Sequence, residues 1–232
     1  MNQSLLDSVQ QNVPCWANDV LQPWPEQDFE QKQLFICRDY WTAQGSVNVF
    51  NIVGTINSDH QNCSWFDLLQ HGNKMRLNMS LLEFKPEYYL DTEIKQPTMY
   101  FKTMDGLKFY IGNDGHHRSC LARFYLYERG LTHLHGVTIN HCQIDELFYQ
   151  LYQQIQTEIT VQKLPIRVIP TRKLLKREDT AGWKTDHYSI HLNWIDHNHH
   201  ELLGYEQSLL KLWWLQKRKH SFWMRCLGKT YG

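Results

Sequence analysis

The residues best suited to chemistry stand together in Gly112-Asn113-Asp114-Gly115-His116-His117-Arg118-Ser119, between an aromatic-rich strand pattern and a helical one. A helix opening near His116 leaves several backbone N–H groups unpaired at its start, where the macrodipole adds partial positive charge. Gly112 and Gly115 permit a sharp turn and let a ligand approach the main chain closely. His116, His117, Arg118 and Ser119 add donors at the same place, so the stretch reads as an anion site suited to phosphate. Asp114 is the discordant member, because a carboxylate beside phosphate costs energy unless a cation lies between them. Three roles stay open for it: a Mg²⁺-linked ligand, a general base, or the residue that shapes the turn.

Two further groups carry weaker signals. The C-terminal stretch sets Lys211, Lys217, Arg218, Lys219, Arg225 and Lys229 against Glu206 and interleaves them with Trp213, Trp214, Phe222 and Trp223. Basic groups beside flat aromatics can follow a nucleic-acid backbone and stack on bases, which makes Lys217, Arg218, Lys219 and Arg225 candidates for touching DNA. Leu202, Leu209 and Trp213 recur at helical spacing, however, and read as a face packed on the sheet with the charges solvated. The 13 histidines invite a metal. His187 and His191 share a strand face but stand roughly 13 Å apart, His197, His199 and His200 fall in a loop, and His60-x-x-Cys63 is a single half-site. None of these has the paired spacing of a structural zinc.

Several elements must position the box. In Thr98–Asn113 two aromatic-rich runs flank Asp105-Gly106, the signature of a β-hairpin. Its second strand feeds the box, and a helix follows through Cys120–Arg129 with Gly130 as its stop. Upstream, Ser4 caps a short helix carrying Leu5, Leu6 and Val9, and Trp16 and Trp24 lie on an extended arm. Val47–Ile56 reads as a strand, Trp65–Gln70 as a helix and Met75–Leu82 as extended. Downstream, Val137–Ile139 is a short strand, Asp145–Glu158 an amphipathic helix, and Leu164–Ile169 a strand closed by Pro170. Arg172, Lys173, Lys176 and Arg177 read as a basic helical turn, Asp186–Trp194 as a strand and Glu201–Lys219 as a helix.

Composition bounds the function. The 232 residues are 42% hydrophobic and carry 24 basic against 24 acidic side chains, enough for a core and inconsistent with binding nucleic acid by bulk charge. Any such contact needs a local patch. The six cysteines are scattered without a CxxC pair, the start is polar rather than a secretory leader, and no run reaches the roughly 18 apolar residues of a membrane helix. The expectation is a soluble, cytoplasmic protein that does not engage a membrane.

The strand, hairpin and Asp-Gly-His-His-Arg opening of a helix resemble the ParB N-terminal domain/sulfiredoxin superfamily, over roughly 75–139. Gly115, His116, His117 and Arg118 take the places of its Gly-x-x-Arg box, and Asp114–Arg118 is most similar to the Asp-Gly-His-x-Arg of the free serine kinases of that fold. The sulfiredoxin cysteine position holds His116, and Cys120 lies a helical turn further on as a small core filler. The resemblance implies binding of a nucleotide phosphate chain, ATP or a related phosphate ester with Mg²⁺, and cleavage of a phosphoanhydride or phosphodiester bond. It implies phosphate held by Gly112, Gly115, His116, His117, Arg118 and Ser119, with His116, His117 and Arg118 neutralising developing charge in catalysis and Asp114 or Glu83 handling the proton or the metal. Glu87 is the alternative carboxylate and Arg76 a phosphate partner. The rival expectation is a non-catalytic DNA-binding regulator or plasmid-type inhibitor that uses the pocket as a sensor. The fold expected is α+β: a small mixed sheet with flanking helices, an arm (1–45), the ParB/sulfiredoxin-like domain (46–170) and a basic, Trp-rich extension (171–232).

Overall fold

The computed structural model describes residues 4–197 and 199–227, with side chains up to Arg218. In chain order the main elements are α1 (Leu5–Gln11), β1 (Gln22–Pro23), α2 (Glu26–Lys32), β2 (Ile36–Asn48) and β3 (Ile52–Thr55). Next come α3 (Trp65–His71), α4 (Met75–Phe84), β4 (Tyr100–Thr103), β5 (Phe109–Ile111) and α5 (His116–Glu128). The chain continues through β6 (His133–Ile144), α6 (Glu146–Val161), β7 (Ile166–Thr180), β8 (Trp183–Asp196), β9 (His199–Leu203) and α7 (Tyr205–Leu227). The architecture is α+β with a mixed sheet. Among the described residues the sheet has nine strands in the order β1-β3-β5-β4-β6-β2-β8-β7, with β9 paired to β8, so it is larger than the small sheet expected. No helix among the described residues is long and apolar enough to cross a membrane.

The additional sheet comes from segments whose local pattern misleads. The expected basic turn at Arg172–Arg177 is strand, part of β7, which pairs with β8 at the end of the sheet path. A terminal strand tolerates Pro170 inside it and carries Lys and Arg without burying them. Glu201–Leu203, expected as helix, belongs to β9; α7 starts only after Gly204, whose N–H is accepted by Gln207 Oε1 at 2.7 Å. The strand expected over Val47–Ile56 is interrupted by a 3₁₀ turn at Val49–Asn51, because Asn48 Oδ1 accepts the Phe50 N–H at 3.0 Å.

Met75–Leu82, expected as extended, is the helix α4. Met75 and Leu82 are buried and Met79 packs against the same core, a helical i, i+4, i+7 row. A second apolar row, Leu77 and Leu81, is exposed and hides that period in the sequence. The hairpin forms as expected, β4 antiparallel to β5 with Phe101 opposite Ile111. Its loop, 104–108, is built on Asp105. The Asp105 Oδ1 accepts the Leu107 and Lys108 N–H groups, each at 2.8 Å, while Gly106 takes φ +72°. Burial alone would raise the Asp105 pKa, but these backbone donors hold it below the usual value.

The chain divides into two units, Met1–Glu26 with Asp39–Gln143 and Arg177–Thr185, and Gln27–Arg38 with Ile144–Lys176 and Asp186–Gly232. In the first, β3 lies parallel to β5 and β4 parallel to β6, and α5 is buried along its whole length from His116 to Leu126. Leu121, Phe124, Trp65, Leu68, Ile111 and Phe101 form the core beside it. Arg123 of α5 is buried in that core. It donates to the carbonyls of Val49 (3.2 Å) and Ile52 (3.0 Å), and its guanidinium carbon lies 4.7 Å from the Trp16 ring and 4.6 Å from the Trp65 ring. Burial pulls its pKa down to about 10, which leaves it charged at neutral pH, held by carbonyl dipoles and aromatic faces.

Replacing Arg123 with Met keeps much of the side-chain volume but strands the Val49 and Ile52 carbonyls in the core. The expected loss of stability is about 1–3 kcal/mol, read as a lower urea midpoint with unchanged slope; an unchanged midpoint contradicts this account of the core.

Candidate functional site

Strand β5 ends at Ile111, and the chain turns through Gly112–Gly115 into α5. Gly115 is the N-cap at φ +112°, a conformation side chains rarely adopt, and a β-carbon there would sit 3.3 Å from Met99 Cβ. No side chain caps this helix, so the first-turn amides of His116, His117 and Arg118, which have no partner within a helix, are left for whatever fills the space before them. That space is a cavity of about 410 Å³. His60, Lys74, Asp114, His116, His117 and Arg118 border it, with Asn57, Asp59, Asn113 and Gly115, while Leu77 and Leu81 of α4 give it one apolar wall.

The three imidazoles form a cluster. The His116 ring lies 4.4 Å from that of His60, and the His117 ring stands perpendicular to His60 at 5.5 Å. His116, 5% exposed, has Nε2 2.7 Å from Thr55 Oγ1. Thr55 Oγ1 also accepts the Asn57 N–H at 2.9 Å. His117 Nε2 accepts the Lys74 N–H at 3.4 Å, which fixes the His117 proton on Nδ1 in the neutral ring. Burial first, and then the neighbouring His60 and His117, pull His116 down to about pKa 4. His60 and His117 are lowered as well, each chiefly by burial. The cluster is therefore neutral at pH 7 and offers N–H donors and bare ring nitrogens rather than cations.

Arg118 is the main departure from the expected phosphate grip. Its guanidinium donates to Asp114 Oδ2 (2.8 Å), Thr98 O (3.2 Å), Tyr88 Oη (3.0 Å) and the Pro97 carbonyl. It braces the wall of the cavity from within. Asp114, whose side chain is 62% exposed, pairs with Arg118 through Oδ2 and accepts its neighbour's Gly115 N–H through Oδ1 at 2.7 Å. The turn-shaping role left open for it is thus occupied. Each oxygen keeps a further lone pair, and Asp114 and Asp59 both border the cavity. Mg²⁺ is commonly held by one or two carboxylates plus substrate phosphate and water, so Asp114 is a group that would hold it. Among the described residues no group of three His, Cys, Asp or Glu side chains converges as a metal cage.

The remaining candidates lie elsewhere. Glu83 and Arg76 are exposed on α4 and Glu87 is exposed on a 3₁₀ turn; none of them borders the cavity. Gly112 lies one step outside it, and Ser119 is fully buried with Oγ unpaired in the core. Cys120 is buried, its Sγ 3.3 Å from the Trp65 carbonyl, as a core filler should be. Lys217 and Arg218 are exposed on α7, whereas the side chains of Lys219 and Arg225 lie outside the described residues. The expected packing face of α7 is reversed. Leu209 and Trp213 of the helix are exposed, with Leu202 of β9, and Ser208, Leu212 and Leu215 of the helix are buried in their place, with Leu203 of β9.

Sequence reasoning missed His60 and Lys74. His60 was weighed only as half of a zinc pair, and Lys74 opens α4, a helix the local pattern concealed. No family model, curated protein or solved structure matches this chain.

The depressed His116 pKa has a consequence for stability. Unfolded His116 titrates near 6.5 and the folded form near 4, so between those values the unfolded chain binds more protons. The stabilisation is complete above pH 6.5 and is lost as pH falls toward 4. Melting temperatures from pH 7.5 to 4.5 should fall in the native chain, and His116→Gln should flatten part of that slope; parallel curves refute the assignment.

Proposed function

We propose that the protein binds the phosphate chain of a nucleotide, ATP or a related phosphate ester, at the start of α5, as its resemblance to the ParB/sulfiredoxin-like superfamily implies, and cleaves a phosphoanhydride or phosphodiester bond there. The observation that carries this reading is the cavity of about 410 Å³ set before an uncapped helix start and bordered by three imidazoles and Lys74. The open amides and the dipole end supply the anion grip. Lys74 supplies mobile positive charge. The neutral ring of His60 can take a proton from an attacking hydroxyl or water, a task that needs an unprotonated base at pH 7, whereas His117 has its one bare nitrogen engaged by the Lys74 N–H. Arg118 acts through Asp114 and the 97–98 carbonyls, holding the turn in shape. Mg²⁺ beside Asp114 and Asp59 would neutralise phosphate charge.

An arriving phosphate favours protonated imidazole, so affinity should rise as pH falls from about 7.5 toward 5.5. Calorimetric titration with ATP and with inorganic pyrophosphate, with and without Mg²⁺, tests this. A double variant, His60→Ala with Lys74→Ala, should weaken both ligands by at least about tenfold, the loss expected when charge-assisted hydrogen bonds go. A folded native chain that binds neither ligand sinks the reading, and binding without phosphate release leaves the sensor alternative.

A second reading is favoured by one observation. Trp213, 55% exposed, and Trp214 present their rings outward on α7, with Lys217 Nζ 3.8 Å from the first ring centre and Arg218 5.5 Å from the second. We propose that this face touches DNA, as a single strand whose bases stack on the indoles. Binding of an oligothymidylate should weaken as salt rises, with a slope of roughly 0.7 per phosphate neutralised. Trp213→Ala with Trp214→Ala should cost about tenfold or more. No binding at low salt ends this reading.

A further inference from the structure

A second hollow, of about 280 Å³, lies on the other side of Asn113 from the anion cavity. Asn113 borders both, and the pairs Ile56–Asn57 and Gly112–Asn113 each give one residue to either side. The hollows therefore straddle the chain where β3 and β5, parallel neighbours, reach their C-terminal ends. That crevice is where open α/β sheets generally receive ligands. Alone, the second hollow sits just below the volume usual for a ligand site of about 300–1,000 Å³, and together the two fall inside it.

The lining of the second hollow differs in kind from the first. It stands on the sheet face opposite the core: Tyr100 and Lys102 alternate with buried Phe101 along β4, and Thr138 and Asn140 face them in register on β6. Trp41 of β2 closes it. Tyr100 is 44% exposed, so an aromatic surface borders an open hollow beside a site for anions. Asn140 spends one amide hydrogen on Asp39 Oδ1 (3.2 Å) and accepts the Cys142 thiol on Oδ1. One amide hydrogen and one lone pair remain, a donor–acceptor edge of the kind that pairs with the edge of a base.

We propose that the Trp41–Tyr100 hollow is the base subsite of the nucleotide, with the phosphates draped over Asn113 into the cavity before α5. The proposal rests on the phosphate-site reading and adds what that reading leaves out. The ligand is a nucleoside polyphosphate rather than a bare phosphate ester, and the aromatic ring is held by stacking on the sheet face. Aromatic platforms hold bases this way and tolerate any base, because each has a π face.

The test compares ATP with inorganic tripolyphosphate on the full chain by calorimetry at pH 7 with Mg²⁺. ATP should bind about tenfold or more tightly than tripolyphosphate, from stacking. Trp41→Ala should abolish most of that advantage while leaving tripolyphosphate affinity within about twofold, and Trp41→Phe should restore most of it. Tyr100→Ala, at an exposed position, should act in the same direction, and retained tripolyphosphate binding certifies that each variant is folded. Equal affinity for the two ligands in the native chain, or an ATP advantage that survives both alanine variants, overturns the base subsite and leaves the phosphate site standing. Binding of neither ligand overturns both.

Discussion

Helix α5 is buried from His116 to Leu126, yet it begins His-His-Arg-Ser and carries Arg123 in its middle. A helix surrounded by protein is normally apolar all round, and a buried polar group without a partner costs about 1–3 kcal/mol. Much of the first unit can be understood as the set of partners this helix demands. Thr55 at the end of β3 meets His116, the Lys74 N–H at the start of α4 meets His117, the carbonyls of Pro97 and Thr98 meet Arg118, and those of Val49 and Ile52 meet Arg123. Segments far apart in sequence converge on one helix because its polar atoms must be satisfied.

The same demand shapes the candidate site. Burial that forces these partnerships also strips the imidazoles of charge, so the box His116-His117-Arg118 has fewer free cations than its composition suggests. Arg118 is spent on holding the turn, and His116 is pushed down to about pKa 4. What is left facing the cavity is a helix start, neutral rings and Lys74, beside the carboxylates of Asp59 and Asp114, which a bound cation would offset. Such a set favours a ligand that brings its own negative charge and raises the proton affinity of the rings as it binds.

How much could be read in advance differs by element. The hairpin was legible because Asp-Gly turn chemistry and aromatic alternation are local, and the α5 boundary because Gly115 and Gly130 frame it at positive φ. The burial of Cys120 was equally legible. Helix α4 was not, since its exposed Leu77–Leu81 row masks the inward Met75–Met79–Leu82 row, in which Met75 and Leu82 are buried and Met79 partly so, and only the neighbours of a helix reveal which of two apolar rows faces inward. The start of β7 was legible as the strand Leu164–Ile169, but its Arg172–Arg177 part was misread as helical because a run of exposed Lys and Arg carries no period of its own; its conformation comes from pairing with β8. On α7 the wrong apolar row was favoured for the same reason as on α4.

The sequence by itself determined the hairpin, the glycine-framed opening of α5 and the gathering of donors at that opening, all of which depend on residues within a few positions of one another. Tertiary structure alone decided that Arg118 turns inward, that Glu83 stays away, that His60 and Lys74 complete the cavity wall and that Trp41 and Tyr100 border one hollow beside it. Those outcomes depend on which distant groups satisfy a buried charge and on which strands lie side by side. Hydrogen-bond demand and sheet register are settled across the whole unit, and no short window of residues contains them.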